Sequence, residues 1–91
     1  MYYIYMLRCD DNSIYTGITV DLENRMKEHF LKDKNGAKYT KSHNAKKLEC
    51  VWKTENKSLA SKLEYHIKSL NKLKKEELIL KNNLRELLGK K

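Results

Sequence analysis

Five side chains in this sequence can exchange protons or hold an anion: Tyr5, Tyr15, Arg25, His29 and Glu64. Phenol, imidazole and carboxylate groups gain and lose protons, and a guanidinium is a permanent cation with a planar fork of donors. None of them is diagnostic alone. Two strand tyrosines are commonly core residues whose hydroxyls find partners. An Arg/His pair on a helix is ordinarily a solvated edge, and a border carboxylate is ordinarily a surface salt bridge. The chemistry depends on whether the chain turns all five toward one edge of one sheet.

The elements that must do this can be read from pattern. Residues 2–8 are aromatic, β-branched and apolar with no helical period, a strand signal, and "IYTGI" (14–18) is the returning strand. Between them "DDNS" (10–13) reads as a turn in which Asn12 tolerates the left-handed conformation. If Asp10, Asp11 and Asn12 form a three-residue loop with a bulge at Asn12, Leu7 faces Tyr15 and Tyr5 faces Gly17. Tyr5 and Tyr15 are then diagonal neighbours on one face, and Gly17 leaves the space before Tyr5 open. A two-residue loop would put the tyrosines on opposite faces, because a one-residue slip inverts the pattern.

"DLENRMKEHFL" (21–31) switches to helical period, with Asp21 as N-cap and Leu22, Met26 and Phe30 as one apolar stripe. Arg25 and His29 lie on a flank of that stripe, apart from the outer face of Asn24, Lys27 and Glu28. The polar, basic stretch 32–47 reads as a long loop, and 48–55 as a third strand in which Leu48, Cys50 and Trp52 alternate with Glu49, Val51 and Lys53. Ser58 can cap a second helix whose apolar face is Leu59, Leu63, Ile67 and Leu70, with Glu64 on its border. A last helix is expected from about Lys75 to Leu88, burying Leu80, Leu84, Leu87 and Leu88 and ending at Gly89. The order β-β-α-β-α-α predicts an α+β fold: a small three-stranded antiparallel sheet flanked by helices, in a single domain over residues 1–91.

At this point the residues resemble a known family. "YIY" (3–5) followed by "YTG" (15–17) resembles the paired motifs of GIY-YIG nucleases, with Arg25 in the following helix, His29 one turn on, and Glu64 in the helix after the third strand. "YTGITVDLENRMKEH", "GAKYT" and "LEYHIKSL" resemble the small stand-alone bacterial members of that superfamily. Tyr3 stands where the first motif has glycine and Thr16 where the second has isoleucine. Asn71 is the candidate for the family's C-terminal asparagine. The resemblance covers roughly residues 2–80.

It implies divalent-metal-dependent hydrolysis of phosphodiester bonds in DNA, with Mg²⁺ or Mn²⁺ as cofactor. It assigns Glu64 to the metal, Arg25 to the scissile phosphate and the tyrosines to proton transfer. Tyr5 is expected to be the water-facing base, with Tyr15 orienting it or sharing the role and His29 as an alternative relay. Only about one tyrosine in a thousand is ionised at pH 7 without help. Members that cut DNA selectively add a targeting domain, which 91 residues do not accommodate, so a structure-selective or non-specific endonuclease of DNA repair or processing is expected. The alternative is a non-catalytic nucleic-acid-binding module on the same scaffold.

Composition agrees with a nucleic-acid partner. Twenty basic residues against twelve acidic ones give a net charge of +8, a field suited to nucleic acid, ribosomes or anionic membrane. The expected DNA contacts are Gly17, Lys38, Tyr39, Lys41 and Asn71, the loop lysines neutralising phosphates and Tyr39 either stacking on a base or packing down on the sheet. Cys9 and Cys50 lack zinc or redox spacing and are expected to act as small hydrophobes rather than a disulfide. No apolar run is long enough to span a bilayer and no signal-peptide pattern opens the chain. A cytoplasmic protein without a membrane partner is expected, in an oligomeric state that composition leaves open.

Overall fold

The computed structural model describes residues 1–31 and 43–88, with side chains through Asn82. The chain opens with a hairpin of β1 (Tyr2–Cys9) and β2 (Ile14–Thr19). Its turn has the three-residue form. Asn12 sits at φ 70°, its N–H donates to the Cys9 carbonyl at 2.8 Å, and the Cys9 N–H donates to the Ser13 carbonyl at 2.9 Å. Asp11 braces the turn by accepting from the backbone N–H and the hydroxyl of Ser13. The register follows: Leu7 pairs with Tyr15 and Tyr5 with Gly17, so the two tyrosines share a face.

β3 (Ala45–Thr54) pairs antiparallel with the other side of β1, giving the order β2-β1-β3. β3 begins three residues before the expected Leu48, inside the stretch read as loop. Asn44 at φ 61° turns the chain into the strand, and the Asp10 N–H holds that corner through the Asn44 carbonyl at 2.9 Å. Lys46 and Lys47 are exposed there, so no apolar alternation announces the strand. Pairing supplies the backbone partners instead.

The two faces of β1 differ. Ile4 and Met6 point into the core with Ile14, Cys50, Ala60, Ile67 and Ile79. The alternate residues Tyr5 and Leu7 are equally buried on the opposite face, where α1 (Leu22–Phe30) lies. Helices α2 (Lys57–Ser69) and α3 (Lys72–Leu88) supply the core side, α2 packing chiefly on β2 and β1. The chain is thus α+β, with three antiparallel strands and three helices in the order β-β-α-β-α-α.

Asp21 caps α1, its carboxylate accepting from the Asn24 N–H at 3.1 Å. α2 is capped by Asn56, which accepts from the Leu59 N–H at 2.9 Å, and not by Ser58, which lies inside the first turn. α3 starts at Lys72 rather than Lys75, because Asn71 accepts from the Lys74 N–H at 2.9 Å. Two expected core residues face outward: Leu59 is 51% and Leu80 63% exposed, and Ile79 is the buried residue of α3. Leu84, Leu87, Leu88 and Gly89 fall outside the described side chains. Arg8 ties the layers together, donating from Nε to Glu49 on β3 at 2.9 Å and from Nη2 to Glu76 on α3 at 2.7 Å. Cys9 and Cys50 are buried and form no disulfide. Among the described residues no helix is long and apolar enough to cross a membrane.

Candidate active site

β2 is an edge strand, and α1 and α2 approach it from the two sides of the sheet. Gly17 is where the hairpin's own tyrosines need room. A Cβ there would lie 2.6 Å from the Tyr5 hydroxyl oxygen, 2.8 Å from Tyr5 Cζ and 3.1 Å from Tyr15 Cε2. The missing side chain does not leave open space before Tyr5, as its pairing suggested. The Tyr5 ring fills that space and lies directly over the glycine backbone.

Tyr5 itself is 1% exposed, so it does not face water in the way expected of it. Its hydroxyl is 2.8 Å from His29 Nε2 in a buried contact, and the Arg25 guanidinium acts on the same oxygen, favouring its negative form. A cation beside that oxygen attracts its lone pairs, so the hydrogen is assigned to the His29 side and Tyr5 donates to Nε2. This assigns the remaining proton of the neutral imidazole to Nδ1. Tyr15, half-buried, completes a cluster of rings: its centroid is 6.2 Å from Tyr5 and 5.4 Å from His29, and Tyr5 and His29 are 5.5 Å apart.

Burial pushes the Tyr5 phenol up to about 12, with the help of Tyr15 and Glu64 and against the pull of Arg25. Burial also pulls His29 down to about 4, and the Arg25 cation adds to that while Glu28 partly offsets it. At neutral pH the pair is therefore an uncharged phenol donating to an uncharged imidazole. His29 is the most buried residue of α1. The stripe Leu22, Met26 and Phe30 is only half-buried and lines a concavity with Tyr3 and Val20.

Glu64 comes from α2. Its side chain is 22% exposed and pairs with Lys68 at 3.2 Å. Its charge is felt at the Tyr5 hydroxyl, the same oxygen that Arg25 and His29 share. Tyr5, Tyr15, Arg25, His29 and Glu64 are thus gathered around the Gly17 edge. Glu28 joins them unforeseen. Helical spacing put it on the outer face, yet its side chain is 17% exposed and takes a hydrogen bond from Arg25 Nη1 at 2.6 Å. The available signal was the i, i+3 spacing from Arg25. Asn71 serves as the cap of α3. Lys38, Tyr39 and Lys41 lie outside the described residues.

The donor set suits a hard divalent ion held through one carboxylate. Among the described residues no three His, Cys, Asp or Glu side chains form a metal cluster. Glu64 is accessible on its helix flank, and its Lys68 partner is one that a cation can replace. Mg²⁺ and Mn²⁺ sites commonly take one or two carboxylates and leave the rest of the shell to water and substrate phosphate.

Comparison with known proteins shows the family. A family model described as the GIY-YIG catalytic domain matches residues 1–77. The chain is 50% identical over 80 residues to the UPF0213 protein FN1575 of Fusobacterium nucleatum, covering 88% of this chain and 78% of that one. It is 42% identical over 86 residues to the UPF0213 protein CPE1444 of Clostridium perfringens, covering 94% and 90%. The solution NMR structure of the UPF0213 protein BH0048 from Bacillus halodurans superimposes with a TM-score of 0.56 at 40% identity, covering 87% of this chain and 83% of that one. The chain belongs to the GIY-YIG family, a nuclease-type catalytic domain, and its relatives are the small UPF0213 proteins.

Proposed function

We propose that this protein hydrolyses phosphodiester bonds in DNA with Mg²⁺ or Mn²⁺, as a structure-selective or non-specific endonuclease of DNA repair or processing in the cytoplasm. The observation that carries the reading is the Tyr5 hydroxyl. It is hydrogen-bonded to His29 and lies in the fields of Arg25 and Glu64, above a glycine that no other residue could replace without displacing it.

Arg25 receives the scissile phosphate, its fork of donors matching phosphate oxygens. Glu64 would hold the divalent cation, which when bound supplies charge neutralisation at the phosphate and more acidic water. Tyr5 is not the base, since a phenol at about 12 stays protonated. It is a relay. Substrate must carry the attacking water to the buried Tyr5 oxygen. As that water gives up its proton there, the Tyr5 proton moves to His29 Nε2, the water oxygen bonds to phosphorus, and the opposite P–O bond breaks with its oxygen taking a proton from solvent. The phenol thus stays neutral and the imidazole becomes imidazolium. In the free protein, burial and Arg25 oppose that imidazolium. A phosphate on Arg25 offsets the cation and raises the proton affinity of His29. Tyr15 borders the open side of the site and orients the water.

The test is cleavage of single-stranded, duplex, flapped and branched DNA with Mg²⁺ or Mn²⁺. The wild type is expected to cut at least one substrate and to stop on chelation. Glu64→Ala and Arg25→Ala should each lower kcat by about 100-fold or more, with Glu64→Ala still binding DNA. Binding of every substrate by the wild type with none cut would replace this reading with a non-catalytic binding module.

A further inference from the structure

We propose that Glu28 is a positioning residue, whose carboxylate holds the Arg25 guanidinium against the Tyr5 hydroxyl. Its place in catalysis rests on the phosphate-binding role proposed for Arg25. Its geometry stands without that role. Glu28 Oε1 accepts from Arg25 Nη1 at 2.6 Å, and Oε2 accepts from Asn24 Nδ2 at 3.2 Å. Both carboxylate oxygens are engaged from one turn of α1, which fixes the group from two sides. At 17% exposure it is folded back on the helix rather than extended into water.

Arg25 needs such a hold. Its stem is long, its side chain is 24% exposed, and a fork held only by a neutral phenol would swing toward solvent at little cost. A charge-assisted bond from the opposite side is the stronger restraint. With Arg25 fixed, the Tyr5 oxygen always has a cation beside it, so its hydrogen stays on the His29 side. Glu28, Arg25, Tyr5 and His29 then form one line across the site, hydrogen-bonded at its two ends and joined in the middle by the field of the guanidinium on the Tyr5 oxygen. Glu28 acts at one remove from any substrate, through Arg25.

The decisive readout is the His29 imidazole, followed by histidine-selective NMR through a pH titration. Arg25 and Glu28 are the charged groups acting on it, and Arg25 lowers its pKa by more than Glu28 gives back. In Glu28→Ala these two influences separate. If Arg25 loses its hold and swings out, the larger effect vanishes and the His29 pKa rises by about half a pH unit or more. If Arg25 stays, only the support of Glu28 is lost and the pKa falls. A rise is expected; a fall or no change overturns the proposal. Glu28→Asp keeps the charge but shortens the reach, and serves if the alanine variant does not fold: a rise again supports the proposal and an unchanged value overturns it. On a substrate that the wild type cuts, Glu28→Ala should lower kcat about tenfold with KM unchanged or lower, because the carboxylate also repels phosphate. An unchanged kcat would overturn the proposal. The titration reads no cleavage, so a protein that binds DNA without cutting it would end the nuclease reading while the positioning role of Glu28 still stands or falls on the His29 pKa.

Discussion

His29 lies beneath Tyr5 and Tyr15 at 1% exposure, with its pKa pulled down to about 4. The unfolded chain has an ordinary imidazole at about 6.5. Between those values the unfolded state binds a proton that the native state refuses. The stability that follows is fully present above about pH 6.5 and is lost as the pH falls toward 4. Its ceiling is roughly 3 kcal/mol, since each pH unit of difference is worth about 1.4 kcal/mol. Asp11 and Glu76, whose carboxyls are held low by hydrogen bonds from Ser13 and Arg8 respectively, act only below about pH 4.5 and leave the window to His29. Urea unfolding should therefore give a midpoint that drops steadily from pH 7 to about pH 4.5, with that slope reduced in His29→Gln. An equal slope in the variant would place the pH dependence elsewhere. At this scale the grouping of the candidate residues was legible: Tyr5, Tyr15 and His29 meet, with Arg25 and Glu64 acting on the Tyr5 oxygen. Glu28 was not, because a helical wheel records where Cβ points and not where a long side chain folds back. The depth of Tyr5 was hidden for a similar reason, since alternation assigns a face but not the cover that α1 puts over it.

Among the elements, α3 is tied to the sheet by one arginine as well as by the burial of Ile79. Arg8 leaves the central strand and forks onto Glu76 through both terminal nitrogens, at 2.5 and 2.7 Å, while its Nε reaches Glu49. Arg8 is 13% exposed and Glu49 9%, so the group is part of the packing. Glu76→Ala removes the bidentate partner but leaves Glu49 to neutralise the arginine. The cost should be about 1–3 kcal/mol. Hydrogen exchange should quicken in α3 while the β1–β2 hairpin keeps its protection; uniform quickening would mean that α3 is not a separately anchored element. The hairpin was readable because turn chemistry and register are coupled: once Asn12 takes the left-handed bulge position, every cross-strand pair follows. The start of β3 was not, since Ala45–Lys47 become strand by pairing with β1 and not by pattern. Leu80 was misread because the leucines of α3 outnumber the positions of one face: Ile79 joins the cluster of Cys50 and Ile67, while Leu73 and Leu80 are left to solvent.

At the scale of the whole molecule, charge sets how the proposed DNA substrate would be met. Twelve acidic residues offset part of twenty basic ones, leaving +8. Several of those acids are already engaged in ion pairs: Glu64 with Lys68, Glu76 with Lys72 and Glu77 with Lys74. The remaining lysines give a positive field that is diffuse and carries no base-specific pattern. Such a surface binds by releasing counterions from phosphates, so affinity must fall as salt rises. With about four phosphates neutralised, the equilibrium constant should drop about 100-fold between about 50 and about 200 mM salt, in much the same way for unrelated sequences. Arg25→Ala should lessen the slope of log K against log salt by about one, the share of a single phosphate contact. Glu76→Ala, which sits in a structural pair, should leave the slope unchanged. Fluorescence anisotropy on a short labelled strand measures all three. A binding constant that stays within about twofold over that range would mean that the lysines do not meet phosphates, and that the positive surface serves a different partner.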